Sequence, residues 1–468
     1  MIRQSGTWWL VALGLACVAA GVLLIVLFVG GEGAAERTAS TSSAKKEGPE
    51  ESSGLSGAAK AVTFADPGLE EAIRKAIGKS GGEIYSTDLV GLTSLRASDG
   101  GIKSLSGIEW CIDLSSLELG YNQITDIAPL SALTSLRMLD LYHNQITDIS
   151  PLEGLINLTN LDLRRNQIRD FGVLSGLTSL TSLSIGDTAI GDIGPVFGLT
   201  GLTELHLEAY QMRDLNLLLG FSNLTRIGLT DNKISDISAL SGFPNLTGLS
   251  VSDNPIGDIS PLSGLTHLTY LYLESNQISD ISALSELTNL RSLILNGNQI
   301  SDIGPLSGLT NLTLIGLTDN QIRDISPLAE LTGLKRLMLS ENQIRDISAL
   351  AGLTALERLQ LSNNEVRNIN PLSELSPMRL LYLDGNQISD ITPLAGLAAL
   401  DSVYLDDNLI ADLRPLVDNR GLADGDRVMV RGNPLSFEAC HFQIPALQAR
   451  GAKVSYDYLY DRDQLGDK

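Results

Sequence analysis

The sequence predicts an α/β solenoid, a curved right-handed superhelix whose concave side is a parallel β-sheet, with a helical N-cap, a C-terminal cap and one preceding transmembrane helix. The main observation is a 22-residue frame, L-x-x-L-x-L-x-x-N-x-I-x-D-I-x-P-L-x-x-L, which runs from Leu114 through fourteen units without an insertion. Its asparagine position holds asparagine in twelve of the fourteen units, with Thr188 and Tyr210 as exceptions. Aromatic residues are only 5% of the 468, too few for several separate globular cores. A stack of short repeats is therefore expected.

Each repeat is predicted to contribute one short strand and one tight turn. In the L-x-L part of the frame, Leu117 and Leu119 face one side and Glu118 faces the other. The asparagine then turns the chain, and its amide can bond backbone groups that the turn would leave unpaired. Successive repeats should therefore form a ladder of buried asparagines beside a parallel sheet.

An aspartate recurs four positions after the asparagine in thirteen of the fourteen repeats, with Asn368 as the exception. One interpretation is a row of carboxylates that binds calcium. A calcium site needs several converging oxygens, whereas this row provides one per ~5 Å, so we expect no metal site. We predict instead that each aspartate caps a short helical turn, as in the sequence that begins at Asp126.

An uncharged run at residues 8–29 precedes the repeats. At ~1.5 Å per residue it can span the ~30 Å hydrocarbon core. Arg3 before the run predicts a cytoplasmic N-terminus, with the repeats on the other side of a single-pass cell-membrane anchor. A cleaved signal peptide and a lipid-modified form cleaved before Cys17 stay as alternatives.

The composition divides the chain into five regions. They are 1–30, a signal-anchor; 31–61, a flexible linker rich in small and polar residues; 62–113, the N-terminal cap and a degenerate first repeat; 114–417, the 22-residue repeats; and 418–468, the C-terminal cap and tail. A solenoid exposes apolar ends, so both caps are needed to cover them.

The N-terminal cap is predicted from a helix signature at residues 64–78. Asp66 is the expected N-cap, with Pro67 in the first turn and Gly78 at the end. The residues expected to form its apolar stripe are Leu69, Ile73, Ala76 and Ile77. The residues expected to build the first coil are Leu92, Leu95, Ile102, Leu105 and Trp110.

The C-terminal cap is predicted from a break in the repeat. The interval between Asn408 and Asn433 lengthens to 25 residues. We expect 428–430 to be the last strand and 436–450 to form a closing helix, with Val454 and Tyr456 packed beyond it.

Charge and residue usage exclude several classes of function. The net charge of −22 makes nucleic-acid binding and docking of the repeats on anionic lipid unfavourable, so the membrane is expected to be contacted through the N-terminal helix only. Cys17, Cys111 and Cys440 offer no disulfide framework, and four histidines without clustering offer no zinc site. We expect no cofactor and no enzymatic activity. An open trough without catalytic motifs is typical of a binding module.

Repeats such as LRMLDLYHNQITDISPLEGL, together with the helical cap, resemble the internalin-type leucine-rich-repeat family of bacterial surface proteins. The 22-residue frame is also similar to the phosphatase-regulator subfamily of leucine-rich repeats. The resemblance covers roughly 62–458. It implies that a partner protein binds on the concave strand face. Residues 461–468 carry no sorting motif, so the surface role is expected to depend on the N-terminal helix.

Outward strand positions provide the candidate ligand-binding residues. Apolar and aromatic side chains that should point to solvent form a first group at Tyr272, Ile294, Met338, Tyr382 and Tyr404. A second, mixed group near the N-terminal end comprises Tyr142, Arg164, Glu208 and Glu274 with Tyr121, His143 and Arg165, and His206 is a further candidate. Exposed aromatic residues on a rigid surface are typical anchors for a partner. The alternative is that tyrosine here is only a good strand former.

Three functions remain in competition. The first is an extracytoplasmic, monomeric binding module for a protein or a glycan; an acidic rim that includes Asp231, Asp253, Asp319, Glu341 and Asp407 would favour a basic protein ligand. The second is a cytosolic scaffold that binds an enzyme such as a phosphatase. The third is an enzyme, such as a carbohydrate hydrolase that uses Asp140, Asp162 and His206, for which no pocket-forming insertion is visible.

Overall fold

The computed structural model describes residues 59–186 and 193–457, all of which lie in one compact unit. The predicted membrane anchor at 1–30 and nearly all of the predicted linker at 31–61 lie outside the described residues. Within the described ranges, no helix is long and apolar enough to cross a bilayer.

Among the described residues, seventeen short strands form one parallel sheet, and a separate antiparallel pair, β1 (Ala61–Val62) and β2 (Ile84–Tyr85), precedes it. The strands of the parallel sheet are β3 (Ser94–Arg96), β4 (Ser116–Glu118), β5 (Met138–Asp140), β6 (Asn160–Asp162), β7 (Ser182–Gly186), β8 (Glu204–Glu208), β9 (Arg226–Gly228), β10 (Gly248–Ser250), β11 (Tyr270–Tyr272), β12 (Ser292–Ile294), β13 (Leu314–Gly316), β14 (Arg336–Met338), β15 (Arg358–Gln360), β16 (Leu380–Tyr382), β17 (Ser402–Tyr404), β18 (Arg427–Met429) and β19 (Lys453–Ser455). Each strand pairs with the next one along the chain, so the sheet follows sequence order.

The three-residue strands explain why the repeat buries its leucines. In β11, Leu271 is fully buried between Tyr270 and Tyr272, whose side chains lie on the opposite face. Leu271 pairs in register with Leu249 and Leu293 of the neighbouring strands. Because each buried leucine contributes roughly 1.5–3 kcal/mol, the 22-residue register is held by a continuous apolar column.

The predicted asparagine ladder is confirmed. Asn298 is buried, and its Nδ2 donates to the carbonyl oxygens of Leu273 at 2.9 Å and Leu295 at 3.0 Å. Its Oδ1 accepts the backbone N–H of Ile278 at 3.0 Å. Every asparagine of the frame makes the corresponding bonds. Each amide therefore joins its own turn to the preceding repeat.

Loss of the asparagine changes the sheet locally. The strands β7 and β8, which lead to positions 188 and 210, are five residues long, and their pairing extends to Gly186 and Glu208. Tyr210 is buried, with its ring centroid 6.3 Å from that of Phe171. Residues 187–192 lie outside the described residues.

The capping role of the repeated aspartate is also confirmed. The Oδ1 of Asp126 accepts the backbone N–H of Ala128 at 2.8 Å, and Asn368 caps in the same way at 3.0 Å. A short helical turn follows each cap. The 3₁₀-helices are Ser86–Asp88, Ile108–Trp110, Ala128–Ala132, Ser150–Leu152, Gly172–Gly176, Gly194–Gly198, Leu215–Gly220, Ser238–Gly242, Ser260–Leu262, Ser282–Leu284, Gly304–Leu306, Ser326–Leu328, Ser348–Gly352, Asn370–Leu372 and Thr392–Gly396.

The N-terminal cap is helix α1, Pro67–Ile77, as predicted. Asp66 accepts the N–H of Gly68 at 2.9 Å through Oδ1 and the N–H of Lys103 at 2.8 Å through Oδ2. One carboxylate therefore starts the helix and ties it to the first coil. Gly78 ends the helix with φ 68°, a left-handed conformation that glycine adopts without strain.

The predicted apolar stripe of this helix is correct only in part. Leu69 and Ile73 are fully buried, and Ile77 is half-buried against the core. Ala76 is exposed, whereas Ala72 packs against the core. The last helical turn is therefore less covered than the first two.

The first coil contains one wrong assignment. The predicted core residues other than Trp110 are buried or pack against the core: Leu92, Leu95, Ile102 and Leu105. Trp110 is 39% exposed, because Ile108 takes the inward position of this 3₁₀ turn. The ammonium of Lys60 lies 5.6 Å from the Trp110 ring centroid.

The C-terminal cap has one more strand than predicted. The predicted last strand, β18, pairs in parallel with β19 through Val428 and Val454. The sequence did not reveal β19 because no leucine frame precedes it. Val454 and Tyr456 pack against the core, as expected.

The closing helix of this cap is composite. Helix α2, Arg414–Asp418, replaces the 3₁₀ turn of the last regular repeat. A π-helical segment, Ala439–Gln443, continues into helix α3, Ile444–Ala449, within the predicted range 436–450. Cys440 in this segment is half-buried and free, and Cys111 is buried and free.

Candidate ligand-binding face

The parallel sheet presents two columns of side chains away from the leucine core. We call this side the outer sheet face; it is the face that the sequence predicts to be concave. The strand-start column consists of the first residue of each of the strands β3 to β19, and the strand-end column consists of the third residue. Parallel pairing in register places consecutive members of a column on adjacent strands.

The first predicted group lies in the strand-end column. Tyr272 and Ile294 are neighbours on β11 and β12, Met338 is on β14, and Tyr382 and Tyr404 are neighbours on β16 and β17. We call these five residues the apolar strip. All are half-buried. The sequence placed them on the correct face but overestimated their exposure.

Two stacked tyrosines form the C-terminal end of the strip. The ring centroids of Tyr382 and Tyr404 are 4.3 Å apart with an interplanar angle of 11°. The guanidinium of Arg358 lies 5.7 Å from the Tyr382 centroid. Burial, followed by the neighbouring Tyr404, raises the pKa of Tyr382 above its ordinary value. The two rings form a flat aromatic surface at this end of the strip.

A glycine makes the middle of the strip continuous. A Cβ at Gly316 would lie 2.9 Å from Cδ1 of Ile294 and 3.1 Å from Cε of Met338. These two side chains therefore lean over Gly316 from both sides and cover the gap between β12 and β14. Gln360 on β15 separates this part of the strip from the Tyr382–Tyr404 pair.

The second predicted group contains an aromatic cluster. Tyr142 and His143 meet Tyr121: the Tyr121 and Tyr142 centroids are 5.0 Å apart edge to face, and the Tyr121 and His143 centroids are 5.2 Å apart and stacked. The guanidinium of Arg165 lies 5.6 Å from the Tyr142 centroid. Burial is the main cause that raises the pKa of Tyr142 to about 12. The structure thus brings together four side chains: Tyr121, Tyr142, His143 and Arg165.

Arg164, another member of this group, is buried in the scaffold. Its Nη2 lies 2.6 Å from Oδ2 of Asp162, and its Nη1 lies 2.9 Å from Oε1 of Glu208. Burial opposes the charge, but the two carboxylates raise the pKa of Arg164. The guanidinium thus neutralises two acids on the outer sheet face and also lies 5.2 Å from the Tyr142 centroid. We expect it to position its neighbours rather than to contact a ligand directly.

His206 stands apart from the aromatic cluster. It is half-buried, and it leans over Gly228, where an added Cβ would lie 2.2 Å from its Nδ1. Burial, followed by the charge of Arg164, lowers the pKa of His206 to about 4. The ring is therefore neutral at physiological pH.

The three residues of the hydrolase hypothesis lie in one column. Asp140 and Asp162 are paired on adjacent strands, while His206 is two strands beyond Asp162. Burial, followed by the charge of Asp162, raises the pKa of Asp140 to about 6. Asp162 is already bound by Arg164, so it is not placed for acid–base work. In the described ranges, no three His, Cys, Asp or Glu residues could together hold a metal ion.

The predicted acidic rim has a backbone cause that the sequence did not reveal. Each residue of this rim directly precedes the asparagine of its repeat and has φ between 54° and 56°. The five residues are Asp231, Asp253, Asp319, Glu341 and Asp407. Gly297 and Gly385 occupy the same turn position with positive φ. Aspartate and glycine tolerate the left-handed region better than most residues. Part of this rim is therefore set by turn geometry.

The sequence missed a basic group in the strand-start column. Its members are Arg336, Arg358, Arg427 and Lys453, on β14, β15, β18 and β19. The missed signal is a charged residue directly before the central aliphatic residue of a strand. The L-x-L pattern drew attention only to the outward residue that follows.

Comparison with known proteins identifies the repeat type. A model described as leucine-rich repeats (2 copies) matches residues 112–154, 134–177, 156–199, 244–286 and 288–330, and a further leucine-rich-repeat model matches 310–366. Internalin H of Listeria monocytogenes is 41% identical over 66 residues, which are 14% of this chain and 12% of that protein. This chain thus matches only a small part of the length of that curated relative.

Solved structures extend the similarity over most of the repeats. The crystal structure of the internalin InlF from Listeria monocytogenes is 37% identical, with a TM-score of 0.57, and the match covers 68% of this chain and 95% of that one. The ectodomain of the plant receptor kinase GASSHO1/SCHENGEN3 from Arabidopsis thaliana, solved in complex with CASPARIAN STRIP INTEGRITY FACTOR 2, is 20% identical. That match covers 70% of this chain and 45% of the ectodomain, with a TM-score of 0.54, and shows a shared fold alone.

Proposed function

Because the chain belongs to the internalin-type leucine-rich-repeat family, we propose that it is an extracytoplasmic binding module that recognises a protein ligand on the outer sheet face. The observation that carries this proposal is the apolar strip, in which five large side chains lie in register on a rigid sheet without being part of the core. Aromatic side chains on such a surface lose little conformational entropy when they bind, so they are efficient anchors.

One solved structure supports a macromolecular ligand. The plant ectodomain, which shares the fold, was solved in complex with CASPARIAN STRIP INTEGRITY FACTOR 2. Residues 8–29 provide the anchor in this proposal, and the repeats lie outside the cell membrane. A glycan ligand is the alternative. It would use the Tyr121–Tyr142–His143 cluster, in which Tyr121 stacks on His143 and meets Tyr142 edge to face.

The binding proposal is tested with matched triple variants of the full chain on intact cells. One variant carries Tyr272→Ala, Tyr382→Ala and Tyr404→Ala. The control carries Ile156→Ala, Phe437→Ala and Phe442→Ala, which removes three exposed apolar side chains outside the strands. Chemical cross-linking followed by mass spectrometry measures the protein partners recovered. We expect recovery to fall for the first variant only; equal recovery from both would contradict the apolar strip as the binding surface.

The location is tested separately, by alkaline extraction of membranes and by protease treatment of intact cells. We expect the chain to stay with the membrane after extraction and its repeats to be cleaved from outside. Protection of a tag at the C-terminus from external protease would instead support the cytosolic scaffold.

A further inference from the structure

The C-terminal end of the outer sheet face has a charge opposite to that of the whole chain. In the strand-start column of β14 to β19, four of the six residues are cationic: Arg336, Arg358, Arg427 and Lys453. In the same column of β3 to β13 the one cation is Arg226, and it is paired with Glu204. A chain with net charge −22 therefore concentrates positive charge at one end of one surface.

These four cations are not neutralised internally. Nearby cations do find carboxylates: Arg379 lies 2.7 Å from Asp401, and Lys335 lies 3.5 Å from Glu357. Within residues 59–186 and 193–457, no salt bridge joins the four column members to an acid. The Nε of Arg358 is buried and has no hydrogen-bond partner. The column thus offers donors whose acceptors would have to come from another molecule.

The neighbouring column provides apolar contact area beside this charge. Tyr382 and Tyr404 form the stacked pair, and Met429 follows on β18. A shallow open depression is lined by Tyr404, Met429, Arg427 and Lys453, together with the adjacent strand residues. Cations and apolar side chains therefore meet at one concave spot.

The far edge of the same strands is acidic. Asp384 and Asp406 follow two residues after Tyr382 and Tyr404, and Asp407 is exposed beside them. Burial raises the pKa of Asp406, with a smaller contribution from the charge of Asp384. A uniformly anionic chain, such as a sulfated glycan, would be repelled at this edge. A suitable occupant carries its negative charge on one side only.

We infer that the basic strand-start column of β14 to β19 and the Tyr382–Tyr404 stack form a subsite for an acidic segment of a protein, with carboxylates on one side and apolar side chains on the other. An extended segment meets this requirement, because alternate residues of a strand point to opposite sides. The inference rests on the proposed function and specifies the chemistry of the partner. It also sets the orientation of the partner along the solenoid, since the acidic part of the partner lies over the C-terminal repeats.

The test uses the full chain in detergent and three synthetic peptides that alternate Leu with Glu, Gln or Lys. Fluorescence anisotropy measures their affinities at low and high salt. We expect the Glu peptide to bind about tenfold more tightly than the Gln peptide at low salt, with the difference reduced at high salt. Equal affinities for Glu and Gln peptides, or tighter binding of the Lys peptide, would overturn the inference.

Two triple charge-reversal variants test which cations cause the preference for the Glu peptide. Arg358→Glu, Arg427→Glu and Lys453→Glu together should remove the preference for the Glu peptide. Arg323→Glu, Arg345→Glu and Arg367→Glu change the net charge equally, but at exposed turn positions where those arginines contact Gln343, Glu365 and Gln387. The preference should survive in this control. Loss in both triple variants would show an effect of net charge alone and would overturn the subsite.

A covalent cross-link locates the bound peptide on the chain without relying on its affinity. Carbodiimide couples a bound peptide carboxylate to a nearby ammonium as an amide with loss of water, and peptide mapping then identifies the lysine. We expect coupling at Lys453 and not at Lys233, which is also exposed but lies in another repeat. Coupling at both to the same extent, or preferential binding of a sulfated oligosaccharide of matched charge, would refute an acidic protein segment as the occupant. Tyr272→Ala tests the proposed function separately, because Tyr272 lies in the apolar strip but outside the subsite. This variant can reduce capture of natural partners without changing the preference for Glu over Gln.

Discussion

The inward and outward positions of the same strands follow different rules. The second residue of every strand from β3 to β19 is aliphatic, from Leu95 to Val454, whereas the strand-end column passes through acids, serine, histidine, glycine, methionine and tyrosine. Both sets of residues share one backbone, one register and one spacing. The difference shows that the stacking requirement ends at the sheet, and that the outward residues are free to vary.

The largest expected difference in the free energy of unfolding is between two adjacent residues, Leu337 in the buried column and Met338 on the outer sheet face. Leu337→Ala should lower the free energy of unfolding by about 2–5 kcal/mol, because it opens a cavity in a fully buried column. Met338→Ala, one residue later on the outer sheet face, should cost about 1 kcal/mol or less. Urea denaturation of both variants followed by circular dichroism measures this, and equal costs would contradict the separation of scaffold and surface.

The asparagine ladder should be nearly as sensitive. Asn320→Ala removes bonds to the carbonyl oxygens of Leu295 and Leu317 and to the N–H of Ile300, all of them buried. Unsatisfied buried groups cost about 1–3 kcal/mol each, so we expect a loss of about 3 kcal/mol in the free energy of unfolding. The exposed Asn311, whose Nδ2 donates to the Thr288 carbonyl oxygen at 2.9 Å, provides the control. Asn311→Ala should cost about 0.5 kcal/mol in the same denaturation experiment.

A smaller effect is expected at the stacked tyrosines. Tyr382→Ala removes a half-buried ring that stacks on Tyr404 at 4.3 Å. Aromatic pairs contribute about 0.5–1.5 kcal/mol, so the free energy of unfolding should fall by about 1 kcal/mol while partner binding falls further. Tyr382→Phe keeps the ring and should retain both properties. A Tyr382→Ala variant that unfolds under native conditions would show that the strip belongs to the core.

The smallest expected effects are two pH dependences of opposite sign. The pKa of Asp140 is raised to about 6 from 3.8, so its folded form binds more protons between these values and its charge opposes folding at neutral pH. Asp140→Asn should therefore raise the free energy of unfolding by about 1 kcal/mol at pH 7.5, with no gain at pH 4. Denaturation midpoints at the two pH values measure this, with Asp99→Asn as the exposed control.

His206 should act in the opposite direction. Its pKa is lowered to about 4 from 6.5, so the unfolded chain takes up the proton first and stability falls as the pH drops from about 6.5 to about 4. His206→Gln should remove this loss without affecting midpoints at pH 7.5. If Asp140→Asn and His206→Gln each showed the same dependence of stability on pH as the unaltered chain, the burial of these two groups would be contradicted.

Periodic features could be predicted from the sequence, and irregular ones could not. The leucine column, the asparagine ladder and the aspartate caps each repeat every 22 residues, so physical reasoning from one unit applied to all. The caps do not repeat, and there Trp110 was wrongly placed in the core and β19 was missed. Arg164 shows another limit, because its two carboxylate partners lie on β6 and β8, and only three-dimensional register brings them together.

The central claim, that the outer sheet face binds and the inner column folds, is tested most directly by one substitution scan of the full chain displayed on cells. Each position of the strand-end column and of the asparagine ladder is replaced by alanine, and folded display and capture of a natural partner are recorded for the same cells. We predict that the strand-end column from Tyr272 to Tyr404 loses capture while display is retained, and that the ladder loses both together. Retained capture throughout that column, or loss of display at its tyrosines, would contradict the account.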